Sequence, residues 1–163
     1  MQTKVKFIEP SYEIIDDING EKILKKIELC GRVCYKSEAR ITKDSAKHFV
    51  KGIIKSGHES VLEHVSFTVR FTISRAIANE IVRHRLASYS QESTRYCNYK
   101  SGVQIIIPTN VQNDEKYKKQ CENCAEEYSR MLQSGYPPEL ARGILPNDLK
   151  TELIMTANLR EWR

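Results

Sequence analysis

The stretch VSFTVRFTI, residues 65–73, decides the fold of this chain. Apolar side chains occupy every second position, and serine, threonine or arginine occupies the positions between them. Successive side chains of a β-strand point to opposite faces of the sheet, so this period of two predicts a strand with one buried face.

A helix is predicted directly after this strand. Ser74 is a suitable N-cap, and apolar residues recur at helical spacing from position 76 to position 86. Because each residue advances about 100° around an α-helix, Arg85 falls within the apolar face, His84 at its edge and Arg83 on the far side. A guanidinium in an apolar stripe is costly unless an anion or acceptor meets it. We therefore expect either that the helix stops near His84 or that it serves more than one ligand or a subunit boundary.

The residues after this helix are rich in hydroxyl groups, and residues 88–95 are predicted to form a loop. For Arg83 alone, a solvated basic helix end that interacts with the helix dipole is a sufficient interpretation. For Arg85 followed by this loop, we favour a binding site.

The rest of the chain predicts a mixed α/β architecture in one domain, residues 1–163. Further strands are predicted at residues 4–8, 103–107 and 153–155, and helices at residues 21–35, 44–55 and 113–134. Thr42 is expected to cap the second of these helices, while Gly57 and Gly135 are expected to end the second and third. Residues 158–163 look like the opening of a helix with Trp162 exposed and no stop signal, so we expect a truncated polypeptide.

The composition is that of a soluble globular protein, with 40% hydrophobic and 29% charged residues. The formal net charge of +5 favours anionic partners such as nucleotides, phosphates and nucleic acid. No apolar run approaches a membrane span of about 20 residues, and residues 1–10 lack the apolar core of a signal peptide. Five cysteines, an odd number, favour a reducing cytoplasm.

Two cysteine pairs, Cys30-x3-Cys34 and Cys121-x2-Cys124, invite a zinc interpretation. Both pairs lie on apolar seams of predicted helices, where cysteine behaves as a small hydrophobe, whereas structural zinc sites more often use turns. We therefore predict core cysteines and no metal site. Cys97 is a weaker candidate nucleophile, because no histidine is fixed nearby in sequence to activate it.

His58-Glu59-Ser60 and Glu63-His64 flank a short segment before the strand at 65–73. Two histidines six residues apart with two glutamates could ligate a metal. Alternatively, the segment lies at the mouth of a pocket, with His58 stacking on a ring and Ser60 bonding a ligand, or it is only a loop with capped ends. Spacing leaves all three interpretations open.

Arg142 lies in the segment ARGILP, residues 141–146, which is predicted to be a short turn after the long helix. An arginine on a constrained turn is suited to anion binding, because its planar fork can engage a phosphate with two hydrogen bonds. Arg95 could act in the same way.

Taken together, these residues resemble the flavin-dependent thymidylate synthases. The signature of that family is Arg-His-Arg, seven further residues and Ser, and here Arg83-His84-Arg85 is followed by seven residues and Ser93. The similarity extends through Arg95-Tyr96. His58-Glu59-Ser60, residues 141–146 and Thr156-Ala157-Asn158 follow the order of the family's other features, so the resemblance covers nearly the whole chain.

The resemblance implies an α+β fold with a central antiparallel or mixed sheet flanked by helices. It implies methylation of dUMP to dTMP, with carbon from methylenetetrahydrofolate and hydride from FAD that NADPH has reduced. It also implies a cytoplasmic homotetramer with active sites between subunits, and neither a nucleic-acid nor a membrane partner.

The resemblance also assigns roles to individual residues. The residues that match cofactor-binding positions are Ser60, Arg83, His84, Arg85, Gln91 and Asn158. Those that match dUMP-binding positions are Glu80, Glu92, Ser93, Arg95 and Arg142. The catalytic candidates are His58, Ser93 and Arg95, and Ser93 is interpreted as orienting and polarising the pyrimidine rather than attacking it.

The chain departs from the family pattern at three places. Many relatives carry Asn-Glu at Ser90-Gln91 and Gln at Glu80, and relatives continue past Arg163. Two alternative functions stay open. One is a truncated relative that keeps only flavin binding, and the other is a basic nucleic-acid-binding module whose basic helix end contacts phosphates.

Overall fold

The computed structural model describes residues 4–163 and contains interspersed strands and helices. The strands are β1 (Val5–Ile8), β2 (Ser11–Ile14), β3 (Ser66–Ser74), β4 (Ala87–Gln91), β5 (Val103–Ile106) and β6 (Lys150–Asn158). The α-helices are α1 (Gly20–Val33), α2 (Ser45–Lys55), α3 (Arg75–Ile81), α4 (Glu115–Gln133), α5 (Pro138–Ala141) and α6 (Leu159–Trp162). Short 3₁₀ helices lie at Glu38–Arg40, Glu59–His64, Thr109–Val111 and Arg142–Ile144.

The strands form a four-stranded sheet with the order β2-β3-β6-β4 and a two-stranded sheet of β1 and β5. β1 and β5 run parallel, with Val5 opposite Val103. The stretch that decides the fold is thus a central strand, and its apolar Val69 and Ile73 are buried as the alternation predicts. The predicted α+β class, with sheets flanked by helices, is confirmed.

The chain divides into two compact units. Of the described residues, the first unit comprises 4–13, 70–83 and 89–154, and the second comprises 14–69, 84–88 and 155–163. The core of the first unit includes Ile105 and Leu149, against which α4 packs. The core of the second unit includes Ile27 of α1 and Val50 of α2. The prediction of a single domain over residues 1–163 stays a prediction.

The three long predicted helices are confirmed, since α1, α2 and α4 begin and end within two residues of their predicted bounds. Gly57 and Gly135 follow α2 and α4 with φ values of 72° and 86°, as predicted for helix stops. The prediction of Thr42 as the N-cap of α2 was wrong. Asp44 is its N-cap, while the backbone N–H of Thr42 donates to the hydroxyl of Ser45 at 2.9 Å.

The helix after β3 is shorter than predicted. Its cap is confirmed, since the hydroxyl of Ser74 accepts a hydrogen bond from the N–H of Ile77 at 3.2 Å. However, α3 ends at Ile81, whose carbonyl accepts a hydrogen bond from the hydroxyl of Tyr89 at 2.9 Å. Arg85 therefore lies beyond the helix and is exposed, so its assignment to an apolar stripe was wrong.

Half of the predicted hydroxyl-rich loop is a strand. β4 (Ala87–Gln91) alternates between half-buried and exposed residues and lies beside β6. The strand was missed because it is rich in hydroxyl groups and its alternation of half-buried and exposed residues is only five residues long. β2 was also missed in the sequence, because its alternation of polar and apolar residues, Ser-Tyr-Glu-Ile, is only four residues long.

The C-terminal helix was predicted, but the exposed tryptophan was not observed. The side-chain oxygen of Asn158 accepts a hydrogen bond from the N–H of Glu161 at 3.0 Å and so caps α6. Trp162 stacks on Phe67 with 5.1 Å between ring centroids, and its indole N–H donates to the Phe67 carbonyl at 3.3 Å. The indole is thus partly buried in the second unit.

Candidate functional site

A hydrogen-bond network centred on Glu92 fixes the end of β4 in the first unit. The carboxylate of Glu92 accepts hydrogen bonds from the Tyr99 hydroxyl at 2.8 Å, the Lys150 ammonium at 3.1 Å and the Glu152 backbone N–H at 3.2 Å. Its side chain is 17% exposed and that of Lys150 is 15% exposed. Because three internal donors engage Glu92, its predicted contact with substrate is better explained as a positioning role.

The charges of this network are mutually stabilised. Burial opposes the charge of Lys150, but its hydrogen bonds to Glu152 and Glu92 outweigh burial and raise its pKa. The hydrogen bond from Lys150 lowers the pKa of Glu152. Burial and the hydrogen bond to Glu92 raise the pKa of Tyr99. The network is thus ionised on Lys150 and Glu152, and Tyr99 keeps its proton, around neutral pH.

The chain turns sharply at residues 93–97, called here the 93–97 turn. The Ser93 carbonyl accepts a hydrogen bond from the N–H of Cys97 at 2.9 Å, and the Ser93 hydroxyl accepts one from the N–H of Arg95 at 3.3 Å. The guanidinium of Arg95 lies 5.6 Å from the centre of the Tyr96 ring, and both residues are exposed. Arg95 is therefore positioned by the turn while its charged group faces solvent.

Arg142 is held against this turn from 48 residues along the chain. One of its terminal nitrogens donates to the hydroxyl of Thr94 at 2.9 Å, and its Nε donates to the Glu139 carbonyl at 3.2 Å. Thr94 is buried, so the contact fixes one edge of the guanidinium. The contact thus brings Arg142 to the turn that carries Ser93 and Arg95. Their common role in binding a phosphate stays a prediction.

Three other predicted site residues of the first unit have different environments. Glu80 and Arg83 are exposed near the end of α3. Gln91 lines a cleft of about 410 Å³ together with Arg70 and Ser90. The Nε2 atom of Gln91 is buried and has no hydrogen-bond partner within residues 4–163.

His58 and Ser60 line a cleft of about 390 Å³ in the second unit. Both residues are exposed, and His58 precedes the 3₁₀ helix Glu59–His64. Phe49 of α2 and Arg160 of α6 line the same cleft, which therefore combines an aromatic wall with a cation. This geometry favours the pocket-mouth interpretation of His58-Glu59-Ser60 over the capped loop.

The remaining candidates of the second unit lie near α6. Nδ1 of His84 lies 3.5 Å from a carboxylate oxygen of Glu161, and the His84 side chain is 63% exposed. Asn158 caps the same helix, so its side-chain oxygen is already engaged. Arg85 is exposed. These basic groups are thus presented to solvent, without the apolar surroundings that the helical-wheel prediction placed around Arg85.

Sequence reasoning missed Thr94, Arg160 and Glu161. Thr94 stands between two predicted site residues, and its buried hydroxyl is the acceptor that fixes Arg142. Asn158-x-x-Glu161 has the spacing of a capping box, which was the signal available for Glu161. Arg160 carried no signal, because its place in the cleft depends on how α6 packs.

The cysteines are only partly as predicted. Cys121 is buried in the core of the first unit, and burial raises the pKa of its thiol. Cys34, however, is exposed, because it follows the last turn of α1, so its assignment to the core was wrong.

Among residues 4–163, no cluster of three or more histidine, cysteine or acidic side chains has the arrangement to hold a metal ion. None of the helices in this part of the chain has the length and apolar character needed to span a membrane.

Comparisons with known proteins identify a family model and several relatives that match most of this chain. The family model described as thymidylate synthase complementing protein matches residues 14–163. A flavin-dependent thymidylate synthase of Geobacter sulfurreducens is 38% identical over 147 residues, which covers 83% of this chain and 63% of that protein. One of Pyrococcus furiosus is 37% identical over 147 residues, covering 84% of this chain and 59% of that protein. The chain thus spans less than two thirds of the length of these relatives.

Two further likenesses extend these comparisons. A flavin-dependent thymidylate synthase of Mycolicibacterium gilvum is 30% identical over 176 residues, covering 94% of this chain and 69% of that protein. The crystal structure of a UMP/dUMP methylase of Streptomyces cacaoi, bound with 5-Br dUMP, aligns with a TM-score of 0.80 at 22% identity. It covers 96% of this chain and 76% of that chain, and it supports the fold assignment.

Proposed function

The chain belongs to the thymidylate synthase complementing protein family, and from this premise we propose that it is a flavin-dependent thymidylate synthase that methylates dUMP to dTMP. The observation that carries the proposal is the 2.9 Å hydrogen bond from Arg142 to Thr94. It brings the segment at 141–146 to the 93–97 turn, so that two parts of the resemblance that are distant in sequence become neighbours.

The 93–97 turn and Arg142 are the proposed dUMP site. Arg95 and Arg142 bind the phosphate, since guanidinium groups form charge-assisted, planar contacts with phosphate oxygens. Ser93 orients and polarises the pyrimidine through its hydroxyl. Glu92 holds the turn through Tyr99 and Lys150 rather than touching the substrate. The exposed Glu80 would repel a phosphate and is proposed to accept a hydrogen bond from a base N–H.

Proposed flavin-binding residues occur in both units. In the second unit they are Ser60, His84, Arg85 and Asn158, and in the first they are Arg83 and Gln91. The cleft of His58 and Ser60 is the proposed place for part of the flavin, because the aromatic Phe49 lines it. Arg160 also lines it, with its guanidinium paired to Glu63 at 2.5 Å. A volume of about 390 Å³ suits one ring system rather than a whole dinucleotide.

FAD reduced by NADPH would supply the hydride that turns a transferred methylene group into a methyl group. The chain's residues have binding and electrostatic roles. Arg83 and Arg85 provide positive charge beside the cofactor, and His84 and Gln91 provide polar groups for hydrogen bonds. His58 provides a flat surface on which nicotinamide or folate can stack.

The proposal includes the partners implied by the resemblance. Methylenetetrahydrofolate is the carbon donor, and the enzyme is a cytoplasmic homotetramer that binds no nucleic acid. Active sites between subunits are consistent with the exposure of Arg83, His84 and Arg85 in a single chain. Arg83 and Arg85 are then proposed to contact ligands or neighbouring subunits.

The test is an anaerobic spectroscopic titration of the purified protein. We expect a flavin spectrum that NADPH bleaches and dUMP perturbs, and formation of dTMP when methylenetetrahydrofolate is added. Arg95→Gln/Arg142→Gln should lose the dUMP response and keep the flavin spectrum. Arg130→Gln, on the exposed surface of α4, is the matched arginine control.

The contrary outcomes are distinct. A colourless protein that takes up no FAD and retards an oligonucleotide would overturn the proposal in favour of the nucleic-acid-binding alternative. Flavin binding with no dUMP response in the unsubstituted protein would favour a relative that retains only flavin binding.

A further inference from the structure

A second basic cleft lies in the first unit, beside the parallel pair of β1 and β5. Its volume is about 390 Å³. The polar side chains that line it are Lys4, Lys6, Tyr99, Ser101, Gln104 and Lys150. The proposed dUMP-binding residues Ser93, Arg95 and Arg142 do not line this cleft. None of the functions proposed above uses Lys4, Lys6, Ser101 or Gln104.

The backbone dictates this convergence. Lys4 and Lys6 are two positions apart, so they point to the same side of the strand. Lys6 lies opposite Gln104 in the parallel register. Gly102, with a φ of 139°, approaches so closely that a Cβ atom there would lie 2.8 Å from the Lys4 carbonyl oxygen. Only glycine permits this approach, which holds Ser101 at the cleft.

The cleft has an excess of positive charge. Lys4 and Lys6 are exposed and form no ion pair within residues 4–163. Lys150 is paired with Glu92 at 3.1 Å and Glu152 at 2.8 Å. Lys150 stays protonated, since those hydrogen bonds raise its pKa. Glu92 and Glu152 compensate Lys150, so the uncompensated positive charge at this cleft comes from Lys4 and Lys6.

We propose that this cleft binds a phosphate-bearing small molecule at Lys4, Lys6 and Lys150. Ammonium groups bind phosphate as point charges, and the hydroxyl of Ser101 and the amide of Gln104 add hydrogen bonds from other directions. Such a set of separated donors suits a tetrahedral oxyanion better than a planar carboxylate. The volume exceeds that of a single phosphate and suits a ligand that carries a further group.

The same geometry couples this cleft to the 93–97 turn. A phosphate that attracts Lys150 competes with Glu92 for its ammonium group. Glu92 directly precedes Ser93, so weakening this contact loosens the turn. Phosphate in the cleft therefore weakens dUMP binding, and dUMP weakens phosphate binding by the same factor. This coupling rests on the proposed function, whereas phosphate binding in the cleft does not.

The experiment is isothermal titration of inorganic pyrophosphate into an Arg95→Gln/Arg142→Gln background, which removes the proposed nucleotide-phosphate site. Lys4→Gln/Lys6→Gln is introduced into this background. The matched control is Lys47→Gln/Lys51→Gln, which removes the same charge from exposed positions of α2. We expect the first pair to weaken pyrophosphate binding about 10-fold or more, because each lysine contributes a charged hydrogen bond. We expect the control pair to weaken it less than about 2-fold, through long-range screening alone.

Three outcomes would overturn the binding proposal: no pyrophosphate binding in the background protein, equal losses in both lysine pairs, or no loss in the first pair. Circular dichroism checks that the variants are folded. The coupling is tested separately, by titrating dUMP into the unsubstituted protein with and without pyrophosphate. If the Lys4→Gln/Lys6→Gln pair leaves any pyrophosphate effect on dUMP affinity unchanged, the cleft is not the source of that effect. Failure of dUMP to bind would count against the proposed function and leave the pyrophosphate result readable.

Discussion

The 93–97 turn and the 84–86 segment, which contains His84 and Arg85, both lie in the part of the chain that resembles the family signature. A single chain nevertheless holds them in opposite ways. The turn is held by its own hydrogen bonds, by Arg142 through Thr94, and by Glu92 at its start. The 84–86 segment is exposed, with His84 near the carboxylate of Glu161 at 3.5 Å. The proposed dUMP site is therefore largely pre-organised, whereas Arg85, a proposed flavin-binding residue, is left for ligands or other chains to order.

The largest effect is expected where the pre-organised region is broken at its centre. Glu92→Gln removes one of the two carboxylates that pair with Lys150 in a mostly buried setting. Because Glu152 still pairs with Lys150, the free energy of unfolding should fall by about 2 kcal/mol. Urea denaturation measures this loss. The matched control is Glu122→Gln, whose ion pair with Lys119 has side chains 40% and 60% exposed, and it should cost about 0.5 kcal/mol or less. Similar losses in both variants would show that Glu92 does not hold the turn.

The next effect compares one arginine from each region. Arg142→Ala leaves the buried hydroxyl of Thr94 without its donor and should cost about 1–2 kcal/mol of unfolding free energy. Arg85→Ala should change stability by no more than about 0.5 kcal/mol, because the side chain is exposed. Thermal unfolding of both variants without ligands checks this. A larger loss for Arg85→Ala would mean that the 84–86 segment is ordered within one chain after all.

A smaller effect is expected at the contact between His84 and Glu161. Glu161→Gln should cost about 0.5 kcal/mol or less, because His84 is largely exposed and solvent screens the pair. The difference from the unsubstituted protein should shrink further in 1 M salt. Urea denaturation at two salt concentrations measures both. A salt-independent loss would indicate a structural role for Glu161 beyond this pair.

The smallest expected effect is in the pH dependence of the Glu92 network. The pKa of Glu152 is lowered from 4.5 by Lys150, so its contribution to stability is present above pH 4.5 and is lost as the pH falls through the lowered value. The pKa of Lys150 is raised from 10.5, so its contribution is present below that pH and is lost as the pH rises through the raised value. In a plot of the free energy of unfolding against pH, Lys150→Met should reduce the loss of stability at both acidic and alkaline pH. Unchanged losses would contradict the assigned pKa shifts.

Much of the fold could be predicted from sequence because its elements have strong periods. The alternation in β3 and the apolar seams of α1, α2 and α4 each extend over several turns or pairs of residues. β2 and β4 were missed because an alternation of only four or five residues carries almost no periodic signal. The end of α3 was misplaced because the chain reverses to place Tyr89 against Ile81, a tertiary contact that helical spacing does not encode.

The candidate site divides along the same line. Ser93 and Arg95 were predictable as a pair, since they lie two residues apart on one turn. The contact that joins Arg142 to this turn depends on the buried hydroxyl of Thr94, which no local pattern distinguishes from a solvent-exposed one. The engagement of Glu92 by Lys150 was likewise hidden, because 58 residues separate the partners.

Trp162 gives the second unit an optical reporter of its own. It is the single tryptophan of the sequence, and its indole is fixed by stacking on Phe67 and by the hydrogen bond to that residue's carbonyl. Asn158, a proposed flavin-binding residue, caps the same helix. Emission excited at the indole therefore comes from one known place, and energy transfer to a nearby isoalloxazine would quench it. Selective excitation of the indole thus lets ligand titrations be followed near the proposed flavin-binding residue Asn158, without emission from the tyrosines of the first unit.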